Sequence, residues 1–178
     1  MIVGIHGFFG QRMAEIVERH GGTAIRVAVD FGQIIDPSMI EEQLKRNPSV
    51  KVVGVIHGET SSGIGQPLAD IGQLCRDHDK IFLVDTVCSL GGIDIPIDKL
   101  LIDICYSGGQ KCMGGPAGIA PITVNERAWQ VIESRKQAVD TWYLDLSLIR
   151  KYWFNERVYH HTAPGPLVYA LREALRLI

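Results

Sequence analysis

A single lysine lies in a glycine-rich segment directly after an apolar run. The run is Leu101–Cys105, and the segment is residues 106–116, with Lys111 near its centre and glycine at positions 108, 109, 114 and 115. Glycine lets the backbone approach a bound molecule closely, and an ammonium group contributes nothing to core packing. When burial and nearby cations lower its pKa, a lysine becomes a neutral amine that attacks an aldehyde and forms a Schiff base. Lys111 is therefore a candidate nucleophile; the alternative, for this residue taken alone, is a solvated lysine in a turn.

An aspartate ends a second apolar run. Asp85 follows Ile81–Val84, and a carboxylate in that place must either lie exposed at the rim of a sheet or be held by a partner. A protonated pyridine nitrogen is such a partner, since a hydrogen bond to a charged group contributes about 1.5–3 kcal/mol and keeps the ring able to accept electrons. A helix N-cap or a salt bridge at the rim explains Asp85 about equally well when it is taken alone.

A polar, glycine-bearing loop, residues 57–67, follows a third predicted strand, at the edge where open α/β sheets bind ligands. The hydroxyls of Thr60 and Ser61 can donate to an anion or a phenolate, or they can satisfy their own backbone. Gly63 and Gly65, together with the later Asp85, imitate part of a dinucleotide-binding fingerprint. Leu68 stands at the place of its third glycine, which disfavours a nucleotide-binding module.

Composition and charge bound the class of protein. The 178 residues are 46% hydrophobic and 21% charged, which is typical of one compact α/β domain with an ample core. The formal net charge of −2 gives no electrostatic reason to expect binding to nucleic acid or to an anionic membrane surface. The four cysteines form no C-x-x-C pair, and no segment resembles a signal peptide or a membrane span. We therefore expect a cytoplasmic protein with reduced thiols.

Short β-branched segments alternate with helical patterns along the chain. This alternation predicts an α/β fold with a mostly parallel sheet and helices on both faces. Strands are predicted near residues 1–6, 23–29, 51–57, 80–85, 101–106 and 117–123, and helices over residues 11–20, 36–46, 67–78, 125–136, 145–153 and 166–178. Because the first strand begins at residue 1 and the last helix is still apolar at Ile178, we expect an excerpt of a longer fold.

Several segments, taken together, resemble one known family. They are residues 7–12 (GFFGQR), 57–60 (HGET), 65–68 (GQPL), 83–92 (LVDTVCSLGG), 102–111 (IDICYSGGQK), 142–146 (WYLDL) and 159–162 (YHHT). In this order they resemble the class V, fold-type-I aminotransferases that use pyridoxal 5′-phosphate (PLP), most closely the alanine–glyoxylate and serine–glyoxylate (serine–pyruvate) group. A cysteine desulfurase of the same superfamily is expected to carry His rather than Gln before the lysine.

The resemblance implies specific roles around the cofactor. Lys111 would form the Schiff base with PLP and then move a proton during the transfer. Asp85 would bind the pyridine nitrogen, Thr60 the phenolic oxygen and Gln110 the phosphate. Phe9 falls where the family places an aromatic ring on the cofactor, and a stacked pair contributes about 0.5–1.5 kcal/mol beyond burial.

The resemblance also implies an assembly and substrates. Tyr159 and Thr162 match residues that reach the phosphate of a neighbouring subunit's cofactor, so a homodimer with shared active sites is expected. The substrates implied are a small amino acid, alanine or serine, and a 2-oxo acid such as glyoxylate or pyruvate. No metal site is expected, since no Cys, His or Asp lies at a metal-binding spacing around His160 and His161.

The chain departs from the family in sequence and in extent. Gly109 stands where relatives usually have Ser or Thr, and residues 62–65 (SGIG) replace a more usual Thr-Gly-Val-Leu. We expect residues 1–178 to be the central part of the PLP-binding large domain, without its N-terminal phosphate loop and without the C-terminal small domain. The arginine that clamps the substrate carboxylate belongs to the absent part, so no arginine of this chain is assigned that role. The alternative function is a truncated, non-catalytic PLP-binding or assembly fragment.

Overall fold

The computed structural model describes residues 1–154 and 158–178. Its strands are β1 (Ile2–Ile5), β2 (Ile25–Ala28), β3 (Val52–Ile56), β4 (Gly58–Glu59), β5 (Ile64–Gly65), β6 (Ile81–Asp85), β7 (Ile104–Tyr106) and β8 (Ile122–Val124). Its helices are α1 (Phe8–Arg19), α2 (Pro37–Arg46), α3 (Ala69–Asp77), α4 (Glu126–Glu133), α5 (Leu146–Trp153) and α6 (Gly165–Leu177), with a 3₁₀ helix at Trp142–Leu144.

One twisted sheet of six strands, in the order β2-β1-β3-β6-β7-β8, forms the centre of the fold. Strands β2, β1, β3, β6 and β7 pair in parallel, and β8 pairs antiparallel with β7. The short strands β4 and β5 form a separate antiparallel hairpin. The predicted α/β fold with a mostly parallel sheet is confirmed.

Helices cover both faces of the sheet, as predicted. Met13 and Ala14 of α1 pack on one face, and buried residues of α2 and α3 pack on the other. Side chains of a strand alternate between the two faces, so Phe82 lies in the core beneath α2 and α3 while Leu83 lies on the α1 side. The same alternation directs Asp85, at the end of β6, to the face that α1 covers.

The first helix begins at Phe8, not at Gln11 as the sequence pattern predicts. Gly7, the N-cap residue, has no side chain with which to cap the helix. The caps come from a distant loop instead: the amide of Phe8 donates to the Ser61 hydroxyl, and the next two amides donate to the Glu59 carboxylate. A helix start of this kind leaves no local signal, because its capping residues lie far away in sequence.

The last two strands are shorter than predicted. Leu101 has a positive φ of 56°, a left-handed conformation in which a strand cannot continue, and β7 begins only at Ile104. β8 begins at Ile122 instead of near residue 117. The preceding segment holds two prolines, Pro116 and Pro121, which lack the backbone N–H that a ladder needs, and Gly118, whose φ is 99°. The residues before β8 therefore form a loop beside the glycine-rich segment, and only isolated backbone hydrogen bonds join the two.

A buried carboxylate sets the position of β7. Asp103, just before the strand, accepts hydrogen bonds from the amide of Phe82 at 2.8 Å, from Arg127 at 2.7 Å and from the Asn125 side chain at 2.8 Å. These contacts join β6, β7 and the start of α4 around one acid that is 2% exposed. A buried charge is tolerated only when it is paired and hydrogen-bonded in this way. The network lies at the opposite end of the sheet from Asp85 and keeps β6 and β7 in register.

The described part of the chain holds no helix that is both long and apolar enough to cross a bilayer.

Candidate active site

A cavity of about 260 Å³ opens beside α1, at the carboxyl ends of β3, β6 and β7. In the sheet β1 lies between β2 and β3. The direction in which successive strands are added therefore reverses between β1 and β3, next to this cavity. Ligands of open α/β proteins bind outside the carboxyl ends of the strands at such a reversal. Four of the residues predicted for the site line this cavity: Phe9, Thr60, Asp85 and Lys111.

Asp85 is held by two donors at the edge of the cavity. The Tyr106 hydroxyl donates to Oδ2 at 2.8 Å, and the amide of Val87 donates to Oδ1 at 2.8 Å. Burial raises the pKa of the Asp85 carboxyl, and the two hydrogen bonds act in the opposite direction. Burial and the adjacent carboxylate raise the pKa of the Tyr106 phenol, so Tyr106 keeps its proton and is the donor. The pair therefore presents a buried, partly stabilised carboxylate to the cavity.

Replacing Tyr106 with phenylalanine removes one of the donors that oppose the effect of burial on Asp85. Burial raises the pKa of Asp85 in the folded protein, so the stability that this group contributes is fully present below its unfolded pKa and is lost as pH rises through its folded pKa. The variant should make this loss larger: in the cofactor-free protein we expect a lower free energy of unfolding at pH 7 by about 1.5–3 kcal/mol, the contribution of a hydrogen bond to a charged group. The loss should be smaller at pH 4, because the raised pKa of Asp85 makes a larger fraction of this carboxyl protonated there than at pH 7.

Urea unfolding at the two pH values measures this difference. The control is Tyr143→Phe, because Tyr143 is 60% exposed and lies outside the cavity. An equal loss of stability at pH 4 and pH 7 in Tyr106→Phe would contradict the role of the phenol.

Lys111 lies in the turn after β7, and its exposed side chain lines the same cavity as Asp85. The turn is held by backbone hydrogen bonds: the amide of Lys111 donates to Gly108 at 3.2 Å, and Gly114 donates to Lys111 at 2.9 Å. Gly114 has a φ of 67°, which favours glycine. A Cβ at Gly109 would lie 2.9 Å from the carbonyl oxygen of Pro116. The backbone therefore packs too closely here for the Ser or Thr side chain that relatives usually have.

The ring of Phe9 forms one wall of the cavity. Arg12, one turn further along α1, places its guanidinium 4.8 Å from the centroid of Phe9 and 5.2 Å from that of Phe8. Arg12 also lines the cavity, and sequence reasoning did not single it out. The available signal was its i, i+3 spacing from Phe9, which puts both side chains on one face of a helix.

Thr60 lies opposite, in the loop after β4, and its hydroxyl is 2.7 Å from the thiol of Cys88. Cys88 lines the cavity too, whereas the sequence predicted only that its thiol is reduced. Its place two residues beyond Thr86, in the loop after β6, was the only sequence signal that it would reach the carboxyl edge. The Thr60 hydroxyl therefore lines the cavity, and its hydrogen-bond partner is a thiol, a weak partner that an oxygen of a bound molecule could replace.

The other three predicted residues lie outside this cavity. Gln110 is exposed, and its amide oxygen folds back towards Gly108. Tyr159 is 70% exposed and forms a 3.0 Å hydrogen bond with Thr162. Within one chain these residues make no part of the cavity wall.

His160 and His161 contact each other and an aromatic residue. Their Nδ1 atoms are 2.8 Å apart, and His160 stacks on Trp142 at a centroid distance of 4.1 Å. In the described residues no group of three or more His, Cys, Asp and Glu side chains is arranged to hold a metal ion.

The fold and the cavity define a class of protein: an α/β domain whose cavity is lined by an amine, a buried carboxylate and an aromatic ring. Comparison with protein families gives a match to the aminotransferase class-V model over residues 6–178. The chain belongs to the class-V aminotransferase family.

Individual relatives agree with this assignment. The chain is 42% identical to an uncharacterized aminotransferase of Methanocaldococcus jannaschii over 98% of its own length and 45% of that protein. It is 37% identical to the (S)-ureidoglycine–glyoxylate transaminase of Bacillus subtilis, of which it covers 47%. The crystal structure of the alanine–glyoxylate aminotransferase from Nostoc sp. superposes with a TM-score of 0.95 at 41% identity, over 99% of this chain and 47% of that one. The chain thus spans less than half the length of these relatives.

Proposed function

We propose that this chain is part of a PLP-dependent aminotransferase that transfers an amino group from alanine or serine to a 2-oxo acid such as glyoxylate or pyruvate. The observation that carries the proposal is that Lys111 and Asp85 line the same cavity in a class-V fold. Two relatives are named for different amino donors, alanine and (S)-ureidoglycine, but both are named for glyoxylate. This favours glyoxylate as the acceptor.

The residues of the cavity fit PLP by their chemistry. The buried Asp85 carboxylate has acceptor capacity left for a pyridinium N–H. The Lys111 amine can react with an aldehyde, and the Phe9 ring can stack on the face of a pyridine. When bound, PLP supplies an aldehyde that takes up the amino group and a ring that accepts electrons. Phe9, Asp85, Thr60 and Lys111 are the residues of the cavity that would hold it.

Each of these residues has a defined task in the proposed reaction. The Lys111 amine would hold the cofactor through its aldehyde, and it would take up and move the proton at the substrate Cα. The Asp85 carboxylate keeps the ring nitrogen protonated, and Tyr106 and Val87 keep the carboxylate in place. The Thr60 hydroxyl would leave Cys88 to donate to the phenolic oxygen. Phe9 orients the ring and excludes water from one side.

Phosphate binding and assembly are further parts of the proposal. Gln110 lies next to Lys111 and is exposed, and its side-chain amide would bind the phosphate. Tyr159 and Thr162 are exposed and do not line the cavity of their own chain, which suits a role at the cofactor of a second subunit in a homodimer. We also propose that the enzyme is cytoplasmic, and that residues 1–178 are the central part of its large domain.

A second candidate, a non-catalytic PLP-binding or assembly fragment, is favoured by one observation: the chain covers less than half of its relatives. The two candidates differ in what residues 1–178 do alone. The family's substrate-carboxylate arginine is not assigned to any residue here, and loss of one partner of a charge-assisted pair costs about 2–5 kcal/mol, or a factor of roughly 30 to several thousand in kcat/KM.

The test compares purified residues 1–178 with a version extended at both ends along the gene, each supplied with PLP. We expect turnover of alanine with glyoxylate, or of serine with pyruvate, by the extended protein only. Comparable turnover by both would show that residues 1–178 are sufficient. An extended protein that binds PLP on Lys111 yet transaminates neither pair would overturn the proposed substrates.

A further inference from the structure

A buried glutamate connects the two walls of the cavity. Glu59 is 1% exposed, and one of its oxygens, Oε2, accepts hydrogen bonds from the amides of Phe9 at 3.0 Å and Gly10 at 3.2 Å. The other, Oε1, accepts from the amide of Ser61 at 3.1 Å and from its hydroxyl at 2.7 Å. The Ser61 hydroxyl in turn accepts from the amide of Phe8 at 2.8 Å. Three successive amides of the first turn of α1 are thus satisfied from one loop.

The charge of Glu59 suits this place. The first amides of a helix have no partner within the helix and carry partial positive charge, so a carboxylate is stabilising there. Four donors surround the two oxygens, which is what a buried carboxylate requires. An amide of the same shape has only one acceptor oxygen, and its NH₂ group would face a donor on one side or the other.

The contacts act directly on the cavity. Phe9, whose ring lines one wall, donates its own amide to Glu59. Thr60, on the other wall, is the next residue after Glu59, and the Glu59 carbonyl accepts from the amide of Gly63 at 2.8 Å to close the loop between β4 and β5. The space around the carboxylate is full: a Cβ on Gly7 would lie within 2.5 Å of the Glu59 side chain. Movement of Glu59 must therefore displace Phe9, Thr60 or both.

We propose that Glu59 is a positioning residue that holds the Phe9 ring and the Thr60 hydroxyl at their places around the bound cofactor. The inference rests on the proposed PLP function. Glu59 itself does not line the cavity, so it acts through its neighbours, which include Asp85, whose pKa its charge raises.

The test is Glu59→Gln in the full gene product, with Asp36→Asn as the matched control. Asp36 caps α2 through the same arrangement, an acid that accepts from the amide and the hydroxyl of a serine two residues later, at 2.8 and 2.6 Å. It lies outside the cavity. Both variants keep side-chain size and lose one capping charge, and the melting temperature of each variant measures its effect on stability.

Only Glu59→Gln should change the cofactor. We expect its PLP dissociation constant to rise about tenfold, within the effect of losing an N-cap, and the circular dichroism that the protein induces in the PLP absorption band to fall. Asp36→Asn should keep both values. Ser61→Ala, which removes the acceptor of the Phe8 amide and leaves the glutamate, should show an intermediate change and serves if Glu59→Gln does not fold.

The outcomes separate this inference from the function on which it rests. Wild-type protein that binds no PLP would contradict the proposed function. Wild-type protein that binds PLP, together with Glu59→Gln and Ser61→Ala variants that match it in affinity and in induced circular dichroism, would overturn the positioning role alone. Equal losses of PLP affinity in Glu59→Gln and Asp36→Asn would show a general effect of stability and would overturn it as well.

Discussion

Replacement of Lys111 with alanine should abolish covalent attachment of PLP and leave the fold intact. The side chain is exposed at the cavity and contributes no core packing, so the melting temperature should not change. Turnover in the full gene product should fall by at least about 10²–10⁴-fold, the range that general acid–base catalysis alone contributes. Loss of the covalent bond adds to this loss.

Borohydride trapping measures the first effect, because it reduces a lysine-bound aldehyde to a stable secondary amine. Peptide mapping of the wild-type protein should find the reduced cofactor on Lys111, and the variant should carry none. Lys99→Ala, at an exposed lysine outside the cavity, should retain both the adduct and full turnover. A reduced cofactor on any other lysine of the wild-type protein would remove Lys111 from the proposed role.

Replacement of Asp85 with asparagine should reduce turnover far more than PLP content. The amide keeps the size of the side chain but lacks the charge that holds the ring nitrogen protonated. We expect a loss in kcat of at least about 10²-fold, as for removal of one preorganised electrostatic contact. PLP content should fall much less, since Lys111, Phe9 and Thr60 remain.

The stability of this variant gives an internal check. Burial raises the pKa of Asp85, so the ionised carboxylate destabilises the cofactor-free protein above the unfolded pKa. Asparagine carries no charge, and the free energy of unfolding at pH 7 should therefore be equal or higher than in the wild-type protein. Absorbance gives the PLP content and denaturant unfolding the stability. Near-normal turnover in Asp85→Asn would return this residue to a structural role.

The sequence alone predicted that Asp85 and Lys111 would lie together at the ends of neighbouring strands. Asp85 and Lys111 each follow a short apolar run, and such runs identify buried strands of a parallel sheet. Parallel strands end at one edge, so residues that follow neighbouring strands meet there without any knowledge of the tertiary contacts. The same argument placed Thr60, whose loop follows β3. The helices were predicted within a few residues because hydrophobic periodicity and caps such as Asp36 are local.

Only the tertiary structure decided what surrounds these groups. The hydrogen bond from Phe9 to Glu59 joins residues 50 positions apart, and that from Tyr106 to Asp85 joins residues 21 apart. Contacts of this kind depend on how α1 packs on the sheet and how β7 registers with β6, and no local pattern encodes them. Gly7 gave no sign that α1 begins at Phe8, because the capping carboxylate comes from another loop. Local periodicity thus placed Asp85, Lys111 and Thr60 at the strand ends and the family resemblance placed Phe9 beside them, whereas packing determined which donors and rings surround them.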